Sequence, residues 1–225
     1  MPVIIRKRDK AILDHILRYR LTTNAVLHRT LFPEQSMNAV TKVTARLCRR
    51  GLLRRYPLVP PETYFTAGPE AVRQFGVPSR RTEPLGPQAL PIDYAVLIYA
   101  THGKQACRRM TSDELAAYMP WLPDELTRTP YCVGESGRLD LVRVDLGGSP
   151  QHVARKTAAD VSARLSIPEL TELAAAGRFQ IVILTTTDDK ARLISAAFEA
   201  LGWSDQVRIH LAAVSRLSFL QLRGH

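Results

Sequence analysis

The residues with the clearest catalytic potential surround a hairpin predicted in the second half of the chain. Asp140 and Asp145 fall on the strand 138–146, Glu135 precedes it in the turn, and Lys156 lies on the next helix. Carboxylates that hold Mg²⁺, with a lysine that stabilises developing charge, are the parts of a metal-dependent nuclease. However, side chains five residues apart on a strand point to opposite faces and cannot share one metal. We therefore expect solvated acids on an outward strand face, with no catalytic residue, metal or cofactor.

Other catalytic and ligand-binding motifs are missing from the sequence. It has no GxSxG nucleophile motif, no CxxC or HxxxH metal-ligand pair and no glycine-rich phosphate loop. The three cysteines include no closely spaced pair, so we expect no disulfide framework and a cytoplasmic location. No apolar run is long enough for a membrane span, and charge comes too early in the first eight residues for a signal peptide.

Charge is distributed unevenly along the 225 residues. The chain has 31 Lys and Arg against 21 Asp and Glu, a net charge of +10. Residues 1–81 hold 16 of these basic residues and 5 of the acids, so the remaining residues are close to neutral. A cationic excess confined to about 80 residues indicates a polyanion-binding module. The alternative is a basic surface that contacts solvent alone.

Three helices and a hairpin are predicted in this basic segment. The elements follow from the spacing of apolar residues and from capping, proline and glycine signals. They are helices over 9–20, 25–31 and 37–50, strands over 52–56 and 63–65, and a helix over 68–75. This order is that of a winged helix-turn-helix, in which the third helix can enter the major groove of DNA.

The third helix and its surroundings contain the residues that we expect to contact double-stranded DNA. Base-edge contacts are expected on the outward face of the helix, from Asn38, Thr41, Lys42 and Arg46. Phosphate contacts are expected from the helix end, the first strand of the hairpin and a basic amino-terminal arm. The residues concerned are Arg49, Arg50, Arg54, Arg55, Arg6, Lys7 and Arg8.

The rest of the chain is predicted to form a second domain. Residues 77–91 contain four prolines and predict a linker between a domain at 1–76 and another at 92–225. Helices alternate with strands in the latter, which predicts an α/β fold with a mixed sheet. The apolar run 179–184 predicts a buried central strand. The apolar segment 214–222 predicts a final core strand, with a protein-binding interface as the alternative.

Several short segments of the basic third are similar to one known family. They are RDKAIL (8–13), LTT (21–23), LFP (31–33), VTARLCRRGLL (43–53) and YFTAG (64–68). Over about residues 6–75 the sequence resembles the replication-relaxation family, winged-helix proteins carried mostly by plasmids and other mobile elements. The resemblance implies a DNA-binding protein of such an element.

The second half of that family is similar to the core of restriction-type nucleases, with a Pro-Asp pair and then a Glu-x-Asp strand. Here Tyr131 replaces the Asp after Pro130, Arg143 replaces the Glu, and only Asp145 matches. The resemblance thus implies a degenerate, non-catalytic nuclease-like domain that dimerises or docks a partner.

We therefore expect a sequence-specific accessory or regulatory protein of replication, mobilisation or transcription, with a mobile-element protein or a second copy as further partners. The alternatives are a Mg²⁺-dependent restriction-type nuclease and a protein–protein adaptor.

Overall fold

The computed structural model describes residues 5–103, 106–203 and 207–222, which form an α+β fold. The chain divides into two compact units, and the division falls between Leu97 and Ile98. It therefore lies within a helix and not in the linker expected at 77–91. None of the described helices combines the length and apolar character needed to cross a bilayer.

The first unit contains consecutive helices and one hairpin. Its helices are α1 (Lys7–Tyr19), α2 (Asn24–Leu31), α3 (Met37–Arg49), α4 (Pro69–Phe75) and most of α5 (Ala89–His102), with a 3-10 helix at Ser79–Thr82. The strands β1 (Leu53–Pro57) and β2 (Thr63–Ala67) pair antiparallel. The elements predicted in the basic segment are thus present within two residues of their expected bounds.

Apolar side chains of the first three helices and the hairpin share one core. Ile12 of α1, Leu27 of α2, Leu47 of α3 and Phe65 of β2 are buried in it. The apolar stripe of each helix is therefore turned inward, as the amphipathic patterns require. This packing fixes α3 against the rest of the unit and leaves its polar side outside.

Local signals determine where α3 begins and ends. The Ser36 hydroxyl accepts a hydrogen bond from the Ala39 amide at 3.2 Å, as an N-cap residue does. Gly51 follows the helix with φ of +67°, a conformation that favours glycine. A Cβ on Gly68 would lie 2.2 Å from the Gly51 carbonyl oxygen, so the chain leaving the hairpin also needs glycine there.

The expected basic arm is wrong, because its residues belong to α1. The helix begins at Lys7 and includes Arg8, with Arg6 as its N-cap residue. The apolar spacing predicted a start at Asp9, two residues later, and cations such as Lys7 and Arg8 are disfavoured at a helix N-terminus. Asp9 in the first turn offsets this unfavourable charge.

The proline-rich segment 77–91 is bound to the hairpin of the first unit. The Tyr56 hydroxyl donates to the Thr82 carbonyl at 2.6 Å. The Leu85 amide donates to the Tyr64 hydroxyl at 2.9 Å. Two tyrosines thus satisfy backbone groups of a segment that the sequence presented as a free linker.

A mixed sheet of five strands, in the order β3-β4-β5-β6-β7, forms the centre of the second unit. The strands are β3 (Cys107–Arg109), β4 (Tyr131–Gly134), β5 (Leu139–Val144), β6 (Phe179–Thr185) and β7 (Arg208–Ala213). Neighbours are antiparallel from β3 to β5 and parallel from β5 to β7. The helices are α6 (Ser112–Tyr118), α7 (Pro150–Leu165), α8 (Pro168–Ala175), α9 (Asp188–Ala200) and α10 (Leu217–Leu222), with a 3-10 helix at Asp124–Leu126. The mixed sheet and the fully buried central strand β6 are confirmed.

The expected final core strand at 214–222 is wrong, because its last six described residues form helix α10. Leu217 and Leu220 are buried, at the three-residue spacing of a helix, whereas Phe219 and Leu222 are exposed. Apolar residues at these four positions fit a short helix as well as a buried strand, so their pattern alone did not decide between the two.

Candidate nucleic-acid interface

One side of α3 is exposed along its whole length. It presents Asn38, Lys42, Ala45 and Arg49, which are three or four residues apart and therefore lie in one row. We call these four residues the α3 stripe. Within the described part of the chain, the side chains of Asn38, Lys42 and Arg49 have no hydrogen bond or ion pair. The stripe is therefore free to contact a ligand.

A groove of about 260 Å³ lies between the α3 stripe and the hairpin. Ala45 and Arg49 line it on the helix side, and Arg55 and Phe65 line it on the hairpin side. Adjacent strand residues point to opposite faces, so Arg54 lies on the other face of the hairpin. The expected pairing of Arg54 with Arg55 at one phosphate surface is therefore not supported, whereas Arg49 and Arg55 flank the same groove.

Thr41 is tied into the protein beside the stripe. Its hydroxyl donates to the Met37 carbonyl at 3.0 Å and accepts from the Asn24 side-chain amide at 3.2 Å. Asn24 in turn accepts from the Thr44 hydroxyl at 3.0 Å. These bonds join the first residue of α2 to the middle of α3. Asn24 and Thr44 were not predicted as part of this surface, because they are 20 residues apart and no local pattern connects them.

Arg46, expected to contact base edges, is held by a carboxylate inside the protein. Its Nη2 lies 2.5 Å from Oδ1 of Asp9, whose side chain is completely buried. Nη1 of Arg50 lies 3.5 Å from Oδ2 of the same aspartate, and Nε of Arg8 lies 3.6 Å from Oδ1. The 2.5 Å contact holds the Arg46 guanidinium against Asp9 and argues against a base-edge contact by Arg46. One carboxylate balances only one of the three positive charges, so a phosphate contact by Arg50 stays a prediction.

The buried aspartate connects α1 to the end of α3. A carboxylate removed from water needs compensating cations, and here they come from both helices. The first turn of α1 adds the favourable field of the helix dipole to the Asp9 charge. No local pattern indicates this arrangement, because Asp9 and Arg46 are 37 positions apart.

Cys48 also lines the groove beside Arg49 and Arg55. Burial raises the pKa of its thiol, and the nearby charge of Arg55 opposes part of that rise. The raised pKa favours a neutral thiol at pH 7, so the local charge of the groove is set by the arginines.

The acids expected to be solvated on β5 are buried and paired, which corrects that prediction. Asp140 accepts from the Tyr99 hydroxyl at 2.8 Å and from Nε of Arg138 at 2.9 Å. Asp145, just after β5, is 2.6 Å from Nζ of Lys190. The two carboxylates have separate partners, in agreement with the opposite faces expected from strand alternation. Arg138 is the neighbour of Asp140 on the same face of the strand, whereas no local pattern indicates Lys190.

Of the other two residues considered for a nuclease site, Lys156 lies near Asp145 but Glu135 does not. Lys156 and Asp145 line a depression of about 200 Å³ together with His152. Glu135 is exposed in the turn between β4 and β5 and does not line it. Over residues 5–103, 106–203 and 207–222, no group of three or more His, Cys, Asp or Glu side chains could hold a metal ion.

No protein-family model, curated protein or solved structure matches this chain. The function of the interface is therefore inferred from its geometry and its charge.

Proposed function

We propose that this protein binds duplex DNA through its first unit, acting as a winged helix-turn-helix. The α3 stripe would enter the major groove, and the β1–β2 hairpin would contact the neighbouring backbone. The observation that carries the proposal is the shared groove between Arg49 and Arg55, two cations without an acidic partner among the described residues. Arg8, Arg46 and Arg50 share the single carboxylate of Asp9, whereas Arg49 and Arg55 face this groove without one.

Each residue of the interface has a distinct role in this proposal. Asn38 and Lys42 lie early on the exposed stripe, where the recognition helix contacts base edges, and both can donate hydrogen bonds to them. Arg49 and Arg55 contact phosphates on either side of the groove, which positions the helix without selecting a sequence. Arg46 holds α3 in place through Asp9 and is a positioning residue.

The resemblance to the replication-relaxation family supports an accessory or regulatory role in a plasmid or other mobile element. The second unit would then act as a degenerate nuclease-like domain without catalysis. Tyr131 and Arg143 stand where the family's motif has an Asp and a Glu, and this loss of carboxylates supports a domain without catalysis.

The experiment is a salt titration of binding to a labelled duplex, measured by fluorescence anisotropy on the full chain. If about five phosphates are neutralised, the slope of log K against log salt is about −4 to −5. Arg49→Ala and Arg55→Ala should each reduce the magnitude of that slope by about 0.9 and weaken all sequences alike. Lys42→Ala should instead change the sequences recovered by selection from random duplex DNA.

The matched control is Arg54→Ala, which removes the same charge from the adjacent position on the opposite face of the hairpin. We expect its salt slope to equal that of the wild type. A flat salt response of the wild type would refute DNA binding. Equal losses for the Arg54 and Arg55 variants would refute the assignment to this groove.

A further inference from the structure

Two of the three cysteines of the chain meet at the β3 edge of the five-stranded sheet. In the β3–β4 ladder, Cys107 lies opposite Gly134, and Arg109 lies opposite Cys132. Strand residues two positions apart point to the same face, so Cys107 and Cys132 lie on one face as diagonal neighbours. Both are free thiols, of which Cys132 is buried and Cys107 is partly exposed. No local sequence pattern indicates this pair, because the two residues come from different strands.

The hydrogen-bond pattern of the ladder brings the two side chains closer. The Met110 amide donates to the Tyr131 carbonyl at 2.9 Å, which makes these two residues a hydrogen-bonded pair. Pair types alternate along an antiparallel ladder, so the pairs that contain Cys107 and Cys132 are both of the non-hydrogen-bonded type. Side chains approach most closely in pairs of this type. Gly134, opposite Cys107, has no side chain and therefore leaves space beside the Cys107 sulfur.

The two sulfur atoms have different electrostatic surroundings. The Cys132 thiol is hydrogen-bonded to Cys107, and this contact, burial and the charge of Asp140 raise the pKa of Cys132. Cys132 is therefore a neutral thiol at pH 7. The pKa of Arg138 is raised mainly by its hydrogen bond to Asp140, with a smaller contribution from the charge of Cys107. A guanidinium close to a sulfur stabilises the thiolate, which is the form that reacts with oxidants.

The Cys107 side chain is also accessible to a small molecule. It lines a depression of about 420 Å³ together with Val133, Gly134 and Gly137. An oxidant that enters this depression reaches Cys107 first, because Cys132 is completely buried. An accessible sulfur next to a second, buried one is the arrangement found in cysteines that respond to oxidation.

We propose that Cys107 and Cys132 form a reversible oxidation site whose substrate is a peroxide. The Cys107 thiolate attacks one oxygen of hydrogen peroxide, so that an S–O bond forms, the O–O bond breaks and the leaving hydroxide becomes water with the proton of the Cys107 thiol. The Cys132 sulfur then attacks the sulfur of the Cys107 sulfenic acid, an S–S bond forms, and hydroxide leaves as water with the Cys132 proton. Two thiols and one peroxide thus give one disulfide and two water molecules.

The diagonal placement favours a reversible bond over a permanent cross-link. The two cysteines are not directly opposite each other, so the disulfide closes with strain, and strained disulfides are more easily reduced. A dithiol restores both cysteines by thiol–disulfide exchange and is itself oxidised to a disulfide. The inference does not rest on DNA binding, because it concerns the second unit and is tested without DNA.

The first test treats the reduced full chain with hydrogen peroxide, blocks the remaining thiols with iodoacetamide and maps the cysteines by mass spectrometry. We expect a peptide that joins Cys107 to Cys132, and a loss of free Cys107 at least about tenfold faster than that of Cys48, whose thiol pKa is raised by burial. A dithiol added before blocking should return both linked cysteines to the alkylated form. Oxidation of Cys107 to the sulfinic acid without a link to Cys132 overturns the proposal, as does a loss of Cys107 no faster than that of Cys48.

The second test separates the roles of the two cysteines. In Cys132→Ser, oxidation of Cys107 should stop at the sulfenic acid, which dimedone traps. In Cys107→Ser, Cys132 should react with peroxide at least about tenfold more slowly than Cys107 does in the wild type, because the remaining thiol is buried and neutral. Cys48→Ser is the matched control and should form the disulfide at the wild-type rate. Rapid oxidation of Cys132 in Cys107→Ser overturns the assignment of Cys107 as the residue that attacks the peroxide.

Discussion

Removing the charge of Asp9 perturbs the contact that fastens α3 to α1. Asp9→Asn keeps the size of the side chain but leaves Arg46 and Arg50 facing a neutral amide. Breaking a buried ion pair by removing one partner costs about 3–5 kcal/mol. The arginine side chains are 29% and 31% exposed, so water screens part of their charge. We therefore expect a loss at the lower end, about 3 kcal/mol of the free energy of unfolding.

The assay is urea unfolding of the full chain, followed by far-ultraviolet circular dichroism. Asp14→Asn is the matched control on the same helix, because Asp14 pairs with Lys10 and both side chains are about half exposed or more. That pair should contribute no more than about 0.5 kcal/mol. A double-mutant cycle of Asp9→Asn with Arg46→Met should give a coupling free energy of at least about 1 kcal/mol.

Two outcomes would refute this reasoning. A loss below about 1 kcal/mol for Asp9→Asn would mean that the buried charge is compensated by something other than these arginines. Additive effects in the cycle would mean that Asp9 and Arg46 act independently. In either case the explanation for excluding Arg46 from the DNA contacts would fail.

Two further predictions concern a buried histidine and a buried arginine. Burial, reinforced by the charge of Arg18, lowers the pKa of His15 to about 4. The unfolded chain therefore takes up a proton near pH 6.5 that the folded chain takes up only near pH 4. The contribution of neutral His15 to the free energy of unfolding is complete above pH 6.5 and should fall by up to about 3 kcal/mol as the pH falls to 4. His15→Gln should lose that component of the pH dependence, and urea midpoints at pH 7 and pH 4 that differ equally in both proteins would contradict it. Arg164, 1% exposed and bonded to Asp160 and the Tyr131 hydroxyl, should cost about 3 kcal/mol when changed to Met. Arg108→Met, which breaks a largely exposed pair, should cost under about 1 kcal/mol in the same unfolding assay.

Elements with strong local signals could be predicted from the sequence. The bounds of α3 follow from Ser36 at its start and Gly51 after its end, together with an apolar row between them. β6 follows from an apolar run long enough for a strand and too short for most helices. These signals act over a few residues, so they do not depend on the rest of the fold.

The sequence predicted which residues of the candidate interface lie on one face of α3, but not which of them are paired inside the protein. Helical spacing identified the exposed positions Asn38, Lys42 and Arg49, but the same spacing also included Arg46. Distinguishing a free arginine from a paired one requires the position of Asp9, which is brought there by the packing of α1 on α3. Long-range pairs of this kind carry no periodic signature.

Burial of the acids around β5 was missed for the same reason. Alternation on the strand separated Asp140 from Asp145, but it could not show that α5 supplies Tyr99 and α9 supplies Lys190. A charged residue on a strand is usually exposed, and it is buried only where another element provides a partner. Tyr99 and Lys190 lie more than 40 residues from the acids they contact, whereas Arg138 is only two residues from Asp140 and on the same face of the strand.

Parallel pairing of β5, β6 and β7 has a consequence for synthesis of the chain. β6 can pair with β5 only after the ribosome has synthesised the intervening helices α7 and α8. β7 (208–213) can pair with β6 only after α9 has been synthesised as well. The first hairpin, in contrast, pairs across a few residues. Since non-local pairing is slow, the apolar strand FQIVILT remains without its outer neighbour until residues 208–213 have been synthesised and have paired with it. Aggregation of nascent chains would therefore begin at this strand.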